Sequence, residues 1–327
     1  PPPPPPLELD RRQRQMCIRD STPGALIANR YEVVSPLGKG GMGMVYKAHD
    51  RMLEEAVAIK VLRAEFANTP EMAQRFRHEI KLARKVSHRN VCRIHEYGED
   101  SGMRYISMEF VEGVDLRQLA RERGGLIPVE EAFDLAIQLS EGLQAIHDVG
   151  IVHRDLKMSN IMRDNRGLVR LMDFGIAKAA GADRTGGGLT TTGQIMGTPE
   201  YMSPEQCLGD KTDHRSDLYS LGIVTYEMFT GQVPFRGDTP VATLFKHIQD
   251  PVPFEGPVAA RIPLPAVAVL RRALDKDRAA RFDNAAAKAE ALRDAQLTAA
   301  STDPEDVQPT AGMPAVVPPE PDPPTPT

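Results

Sequence analysis

The spacing of apolar residues changes partway along the chain. Up to about residue 110 they come mostly in short alternating runs, and Val45-Tyr46-Lys47-Ala48 and Val57-Ala58-Ile59-Lys60 read as short β-rich segments. One stretch there has a longer period. Between Thr69 and Ser87, the residues Met72, Phe76, Ile80, Ala83 and Val86 recur at helical spacing behind Pro70, which suits a first helical turn. Glu79 falls in the middle of that apolar stripe, where a carboxylate needs a cationic partner because an unpaired buried charge is costly. By pattern alone, either Glu79 is a rim residue or its partner is Arg75 or a neighbouring lysine on its own helix.

Beyond residue 110 helical spacing dominates. Ala132, Leu135, Ala136, Leu139, Leu143 and Ile146 form one stripe after Pro128. From Asp217 to Phe229 the run is almost wholly apolar and is closed by Gly231, which predicts a buried central helix too short to span a membrane. The pattern therefore predicts an α+β chain with a small strand-rich lobe (about 30–110) carrying one main helix, and a larger helical lobe (about 111–297).

The two ends differ in composition. Residues 1–29 open with six prolines, continue through Arg11-Arg12-Gln13-Arg14 and lack an initiating methionine, so they are expected to be a disordered or extraneous tail. Residues 298–327 are rich in proline, threonine and acid, and are expected to be a disordered tail or linker, with room for a longer protein bearing a membrane anchor or sensor. With 327 residues, 41% apolar, the chain is large enough for a well-buried core. Its net charge of −5 and the absence of a basic tract argue against nucleic acid. Cys17, Cys92 and Cys207 are scattered and show no metal-type spacing with histidine, which fits a reducing cytoplasm.

The chemistry-bearing motifs come in order. Gly38-Lys39-Gly40-Gly41-Met42-Gly43-Met44-Val45 reads G-x-G-x-x-G-x-V, where glycines let backbone amides approach phosphate; alone it is a weak signal shared with dinucleotide-binding loops. It is followed by a strand, not a helix. His153-Arg154-Asp155-Leu156-Lys157-Met158-Ser159-Asn160, then Asp173-Phe174-Gly175, then Gly197-Thr198-Pro199-Glu200-Tyr201-Met202-Ser203-Pro204-Glu205 complete the set.

Taken together these motifs resemble the protein kinases, specifically the bacterial eukaryotic-like serine/threonine branch, over roughly Tyr31 to Ala295. The resemblance implies a two-lobed kinase fold and ATP-dependent transfer of a phosphoryl group to Ser/Thr hydroxyls, with Mg2+ or Mn2+. It implies Asp155 as the base, Lys157 on the transferring phosphate, Thr198 bracing Lys157 against Asp155, and a Lys60–Glu79 pair at the ATP phosphates. Leu37, Gly38, Lys39, Gly40, Gly41, Met42, Gly43, Val45, Ala58 and Lys60 would enclose the nucleotide. Glu109 and Val111 would offer backbone hydrogen bonds to adenine, with Met108 guarding the pocket behind; by pattern alone this stretch is an edge strand and turn. Asn160 and Asp173 would hold metal, Asp217 would hold the catalytic-loop backbone, and Arg281 would pair with Glu205.

Ile176, after the DFG glycine, points to a threonine preference, and Thr192 or Thr190 would be phosphorylated and held by Arg154 and Lys178. The implied partners are protein substrates, the chain itself by autophosphorylation and a transient homodimer, with no nucleic acid and no membrane segment. Two rivals share the fold: a pseudokinase scaffold or nucleotide-sensing module, and a small-molecule kinase. The first is disfavoured because no metal ligand is missing, the second because the segment from Asp173 to Glu205 is long and ends in Pro-Glu.

Overall fold

The computed structural model describes residues 23–40, 43–63, 70–100, 102–174 and 197–301. Its first lobe is an antiparallel sheet in the order β1-β2-β3-β4-β6-β5, formed by Leu26–Ile27, Tyr31–Gly40, Gly43–Asp50, Glu55–Leu62, Met103–Glu109 and Ile94–Asp100 respectively. Alternation along β4 sorts its side chains: Val57 and Ile59 enter one apolar cluster with Tyr31, Tyr46 and Tyr105, while Ala58 and Leu62 join the main core on the other face. Lys60 shares the parity of Ala58 and Leu62, so the strand itself turns the lysine toward the interior of the molecule, where it is buried. At Gly43 the chain passes so close to β4 that a Cβ would lie 1.8 Å from the Val61 carbonyl oxygen, so only glycine fits there.

Helix α1 (Pro70–Ala83) packs Phe76, Ile80 and Ala83 into the main core, and Val86 follows them from the next loop. It stops four residues short of the predicted Ser87, because Lys85 and Val86 donate to Leu82 and Ala83 in tighter turns that end the helical ladder. The ordered lobe also starts earlier than expected. Leu26 and Ile27 pair with Glu32 and Tyr31, and Ile27 is buried, so part of the 1–29 segment covers the edge of β2. Residues 1–22 lie outside the described residues.

The second lobe is helical apart from a small sheet of β7 (Gly113–Asp115), β8 (Ile161–Asp164) and β9 (Val169–Leu171). After the short α2 (Leu116–Glu122), α3 (Val129–Asp148) buries every residue of the predicted stripe. Helix α4 (Pro204–Leu208) is short and capped by Ser203, and α5 (His214–Thr230) is buried on nearly all faces and ends at Gly231, whose φ of 77° supplies the left-handed cap. Helices α6 (Pro240–Gln249), α7 (Leu264–Ala273) and α8 (Ala285–Ser301) complete the lobe. Helix α8 runs past the expected boundary at 297, because Gln296 bonds Asp134 of α3 at 2.8 Å and so docks the last turns on that helix. No described helix is long and apolar enough to cross a membrane.

One residue of this core conflicts with its surroundings. Lys288 of α8 is fully buried with its Nζ 3.5 Å from Thr225 Oγ1, and burial pushes its pKa down to about 7. Between about 7 and the ordinary 10.5 the unfolded chain therefore binds more protons than the folded one, so this group makes stability rise with pH across that window. Lys288→Met should stabilise the fold by on the order of 3 kcal/mol near pH 6, with a gap to the parent that shrinks as pH climbs through the window. Urea unfolding at acid and alkaline pH measures it, and a pH-independent gap contradicts the assignment.

Candidate active site

The catalytic loop is held from below by one carboxylate. Asp217, in the first turn of α5 and almost fully buried, accepts from the backbone N–H groups of His153 at 2.7 Å and Arg154 at 2.8 Å, and from His147 Nε2 at 2.8 Å. Burial alone would raise its pKa, but the hydrogen bond and charge of His147 outweigh that and hold the carboxyl below its usual range. Arg154 needs such a hold. Its φ of 68° is left-handed, a conformation that costs a non-glycine residue about 1 kcal/mol or more. Its N–H is tied to Asp217, and its carbonyl accepts from Gln206 Nε2 at 3.1 Å, so neighbouring elements impose the bend.

That bend presents Asp155 among donors. Lys157 Nζ donates to Asp155 Oδ2 at 2.8 Å and to Thr198 Oγ1 at 3.3 Å, so the lysine bridges the catalytic loop to the segment that leads into α4. Asn160 Nδ2 donates to the Asp155 carbonyl at 2.8 Å and to Oδ2 at 2.9 Å. The amide oxygen of Asn160 is thereby left for another partner, as a metal ligand requires. The Asn160 carbonyl accepts from Met172 N–H at 2.9 Å, which ties the loop to the segment after β9 that carries Asp173. Asp173 is also left-handed, at φ 59°, and is followed by the buried Phe174.

Lys60 reaches Asp173 from the other lobe, with Nζ 2.7 Å from Oδ1. This differs from the expected pairing: among the described residues Lys60 makes its ion pair with Asp173, not Glu79, which is half-buried on α1 and engaged elsewhere. A lysine held at 2.7 Å from Asp173 cannot also pair with Glu79 at short range, so this geometry satisfies one acid of the two.

The described positions among those expected to enclose a nucleotide lie on or just after the strands of the first lobe's sheet. Leu37, Gly38, Lys39 and Gly40 end β2, with Gly38 paired to Val45 and Gly40 to Gly43; Gly41 and Met42 lie outside the described residues. Ala58 pairs with Met108 across β4 and β6, and both are buried. Glu109 donates its N–H to the Arg93 carbonyl at 2.9 Å, while no described residue hydrogen-bonds the Val111 backbone. Gly175, Ile176, Lys178, Thr190 and Thr192 lie outside the described residues.

A second buried ion pair braces the end of the segment. Arg281, fully buried, grips Glu205 with Nη1 at 2.7 Å and Nη2 at 2.9 Å, and Ser216 adds a bond at 2.6 Å. Burial would raise Glu205, yet Arg281 holds it below its usual range. His147, Gln206 and Ser216 were not singled out from the sequence. Their partners are 70, 52 and 11 residues away, a relation that no local spacing encodes.

A strand-rich lobe on a helical lobe, with two aspartates, an asparagine and two lysines gathered by the contacts above, has the composition that phosphoryl transfer requires. The chain belongs to the protein kinase family: the protein kinase domain model matches residues 31–292. It is 40% identical over 262 residues to the probable serine/threonine-protein kinase CPE1738 of Clostridium perfringens, covering 80% of this chain and 38% of that protein. It is 41% identical over 273 residues to the serine/threonine-protein kinase PknB of Mycobacterium tuberculosis, covering 81% of this chain and 42% of that one. The chain thus spans about two fifths of the length of these curated relatives. Its fold matches the crystal structure of the Mycobacterium tuberculosis PknI kinase domain with a TM-score of 0.64 at 27% identity, over 84% of this chain and 99% of that one. Protein kinases as a family use ATP and a divalent metal.

The Lys60–Asp173 contact sets an expectation for the loaded enzyme. With nucleotide and metal bound and the protein phosphorylated, Lys60 Nζ should lie within about 4 Å of Glu79. A crystal structure of that complex measures it, and a pair still broken there contradicts the assigned role of Glu79.

Proposed function

We propose that this domain is a serine/threonine protein kinase that transfers the γ-phosphoryl of MgATP to hydroxyls of protein substrates. The observation that carries the proposal is the convergence on Asp155 Oδ2 of Lys157 Nζ at 2.8 Å and Asn160 Nδ2 at 2.9 Å. That arrangement fixes the carboxylate where it can orient a substrate hydroxyl and take its proton. Lys157 lies between Asp155 and Thr198, placed to follow negative charge as it shifts onto the transferring group. Lys60 would hold the ATP phosphates. Ala58, Val45 and Leu37 would cover the adenine, and the backbone of Glu109 and Val111 would bond its edge, with Met108 closing the pocket behind.

Asn160 and Asp173 fit a magnesium site, because Mg2+ takes one or two protein oxygens and completes its shell with phosphate and water. Bound there, the ion would neutralise phosphate charge; Mn2+ has the same requirements. The reading extends to regulation and to acceptor choice. Autophosphorylation on Thr192 or Thr190, held by Arg154 and Lys178, would switch activity on, and transfer between copies would need only a transient homodimer. Ile176 supports a preference for threonine over serine. The domain would act in the cytoplasm.

The test is to incubate the purified chain with MgATP and a generic basic protein, then to map phosphosites by mass spectrometry. Phosphate should appear on Ser and Thr of the substrate, Thr favoured, and on Thr190 or Thr192 of the chain. Asp155→Asn should lower kcat about 100-fold or more while nucleotide affinity changes little, because only the base is removed. Wild-type turnover in that variant contradicts the role of Asp155, and undiminished turnover when both threonines are alanine contradicts the regulatory reading.

A further inference from the structure

A second concave surface lies on the hinge side of the molecule, built from none of the residues that hold Asp155, Asn160 or Asp173. It encloses about 450 Å³, and His88, Arg89, Arg93, His95, Glu109 and Arg170 are among its lining residues. Both lobes contribute to it. The loop after α1 is stitched to the second lobe, with Cys92 N–H donating to the Leu171 carbonyl at 3.0 Å and Leu171 N–H to that of Asn90 at 2.9 Å. The buried Asn90 amide donates in turn to the Val169 carbonyl and to Gln138 Oε1, both at 2.9 Å. The groove therefore has a preformed floor spanning the hinge, and its volume is in the range of ordinary ligand sites.

Its charges are unbalanced. Arg170 is satisfied by Glu109 and Asp164, each at 2.9 Å, which also consumes the acid lining the groove. Arg89 and Arg93 are exposed, and among the described residues neither guanidinium meets a carboxylate. On a chain of net charge −5, two uncompensated arginine forks beside two histidines make a local cationic trough. Such forks match carboxylates two oxygens at a time.

We propose that this groove docks an acidic segment of a protein substrate, holding it behind the hinge while the acceptor hydroxyl reaches Asp155. The proposal rests on the protein-kinase reading, but its test reads binding and not turnover, so the two fail separately. A fluorescein-labelled glutamate-rich peptide and its glutamine counterpart would be titrated with the full chain by fluorescence anisotropy. The glutamate peptide should bind about ten-fold tighter or better, and should weaken as salt rises from about 0.05 to 0.5 M. Arg89→Glu combined with Arg93→Glu should abolish that preference while turnover on a short neutral peptide is unchanged, which shows the variant is folded. Equal binding of the two peptides, or an unaffected double variant, overturns the proposal. So does about a ten-fold gain in peptide affinity on changing Asp303, Glu305 and Asp306 to their amides, since that would give the groove to the chain's own carboxylates.

Discussion

One buried carboxylate sets the geometry on which the rest of the site depends. Asp217 carries charge into the core of the second lobe, where an unpaired ion would be prohibitive, and it is tolerated because three donors converge on it. Two of those donors are consecutive backbone N–H groups. Satisfying both forces the chain at His153 and Arg154 into a bend that Arg154 would not adopt unaided, and that bend delivers Asp155 to the surface of the cleft. Stability and chemistry are thus linked through a single side chain that touches no substrate.

The other parts are held by shared atoms more than by proximity. Asn160 uses its amide on Asp155 and its carbonyl on Met172, so Asp155 and the residue next to Asp173 are coupled through one side chain and its backbone. Gln206 caps a helix with Ser203 and also bonds the Arg154 carbonyl, which couples α4 to the catalytic loop. The buried Glu205–Arg281 pair anchors that helix to the segment between α7 and α8. Between the lobes, Lys60 rests on Asp173, and the loop after α1 is bonded to Leu171 of the second lobe.

Most of the architecture was legible because its signals are local. Short β-rich runs marked β3 and β4, helical spacing marked α1 and α3, and a continuous apolar run closed by glycine marked α5. The boundaries were harder. Ile27 and the last turns of α8 are ordered by pairing and docking, and the apolar pattern at either end is too short to show it. The motif residues Asp155, Asn160, Asp173 and Asp217 could be named from their resemblance to the kinase motifs, but which cation Asp173 meets depends on the relative placement of two lobes. His147 was invisible for the same reason: its role exists only once α3 and α5 cross. Lys288 was hidden differently, since a lysine on a helix reads as solvent-facing until the packing around it is known.

The dependence of the site on Asp217 is tested most directly by Asp217→Asn, which keeps size and shape but replaces one accepting oxygen with an NH2 group. One of the two loop N–H groups then loses its partner and the charge opposite His147 disappears. Steady-state kinetics with MgATP, alongside nucleotide affinity and thermal unfolding, read the outcome. The account predicts a fall in kcat of about 100-fold or more, with nucleotide affinity within a few-fold of the parent and a protein that still unfolds cooperatively. A folded variant whose kcat stays within a few-fold of the parent would contradict it.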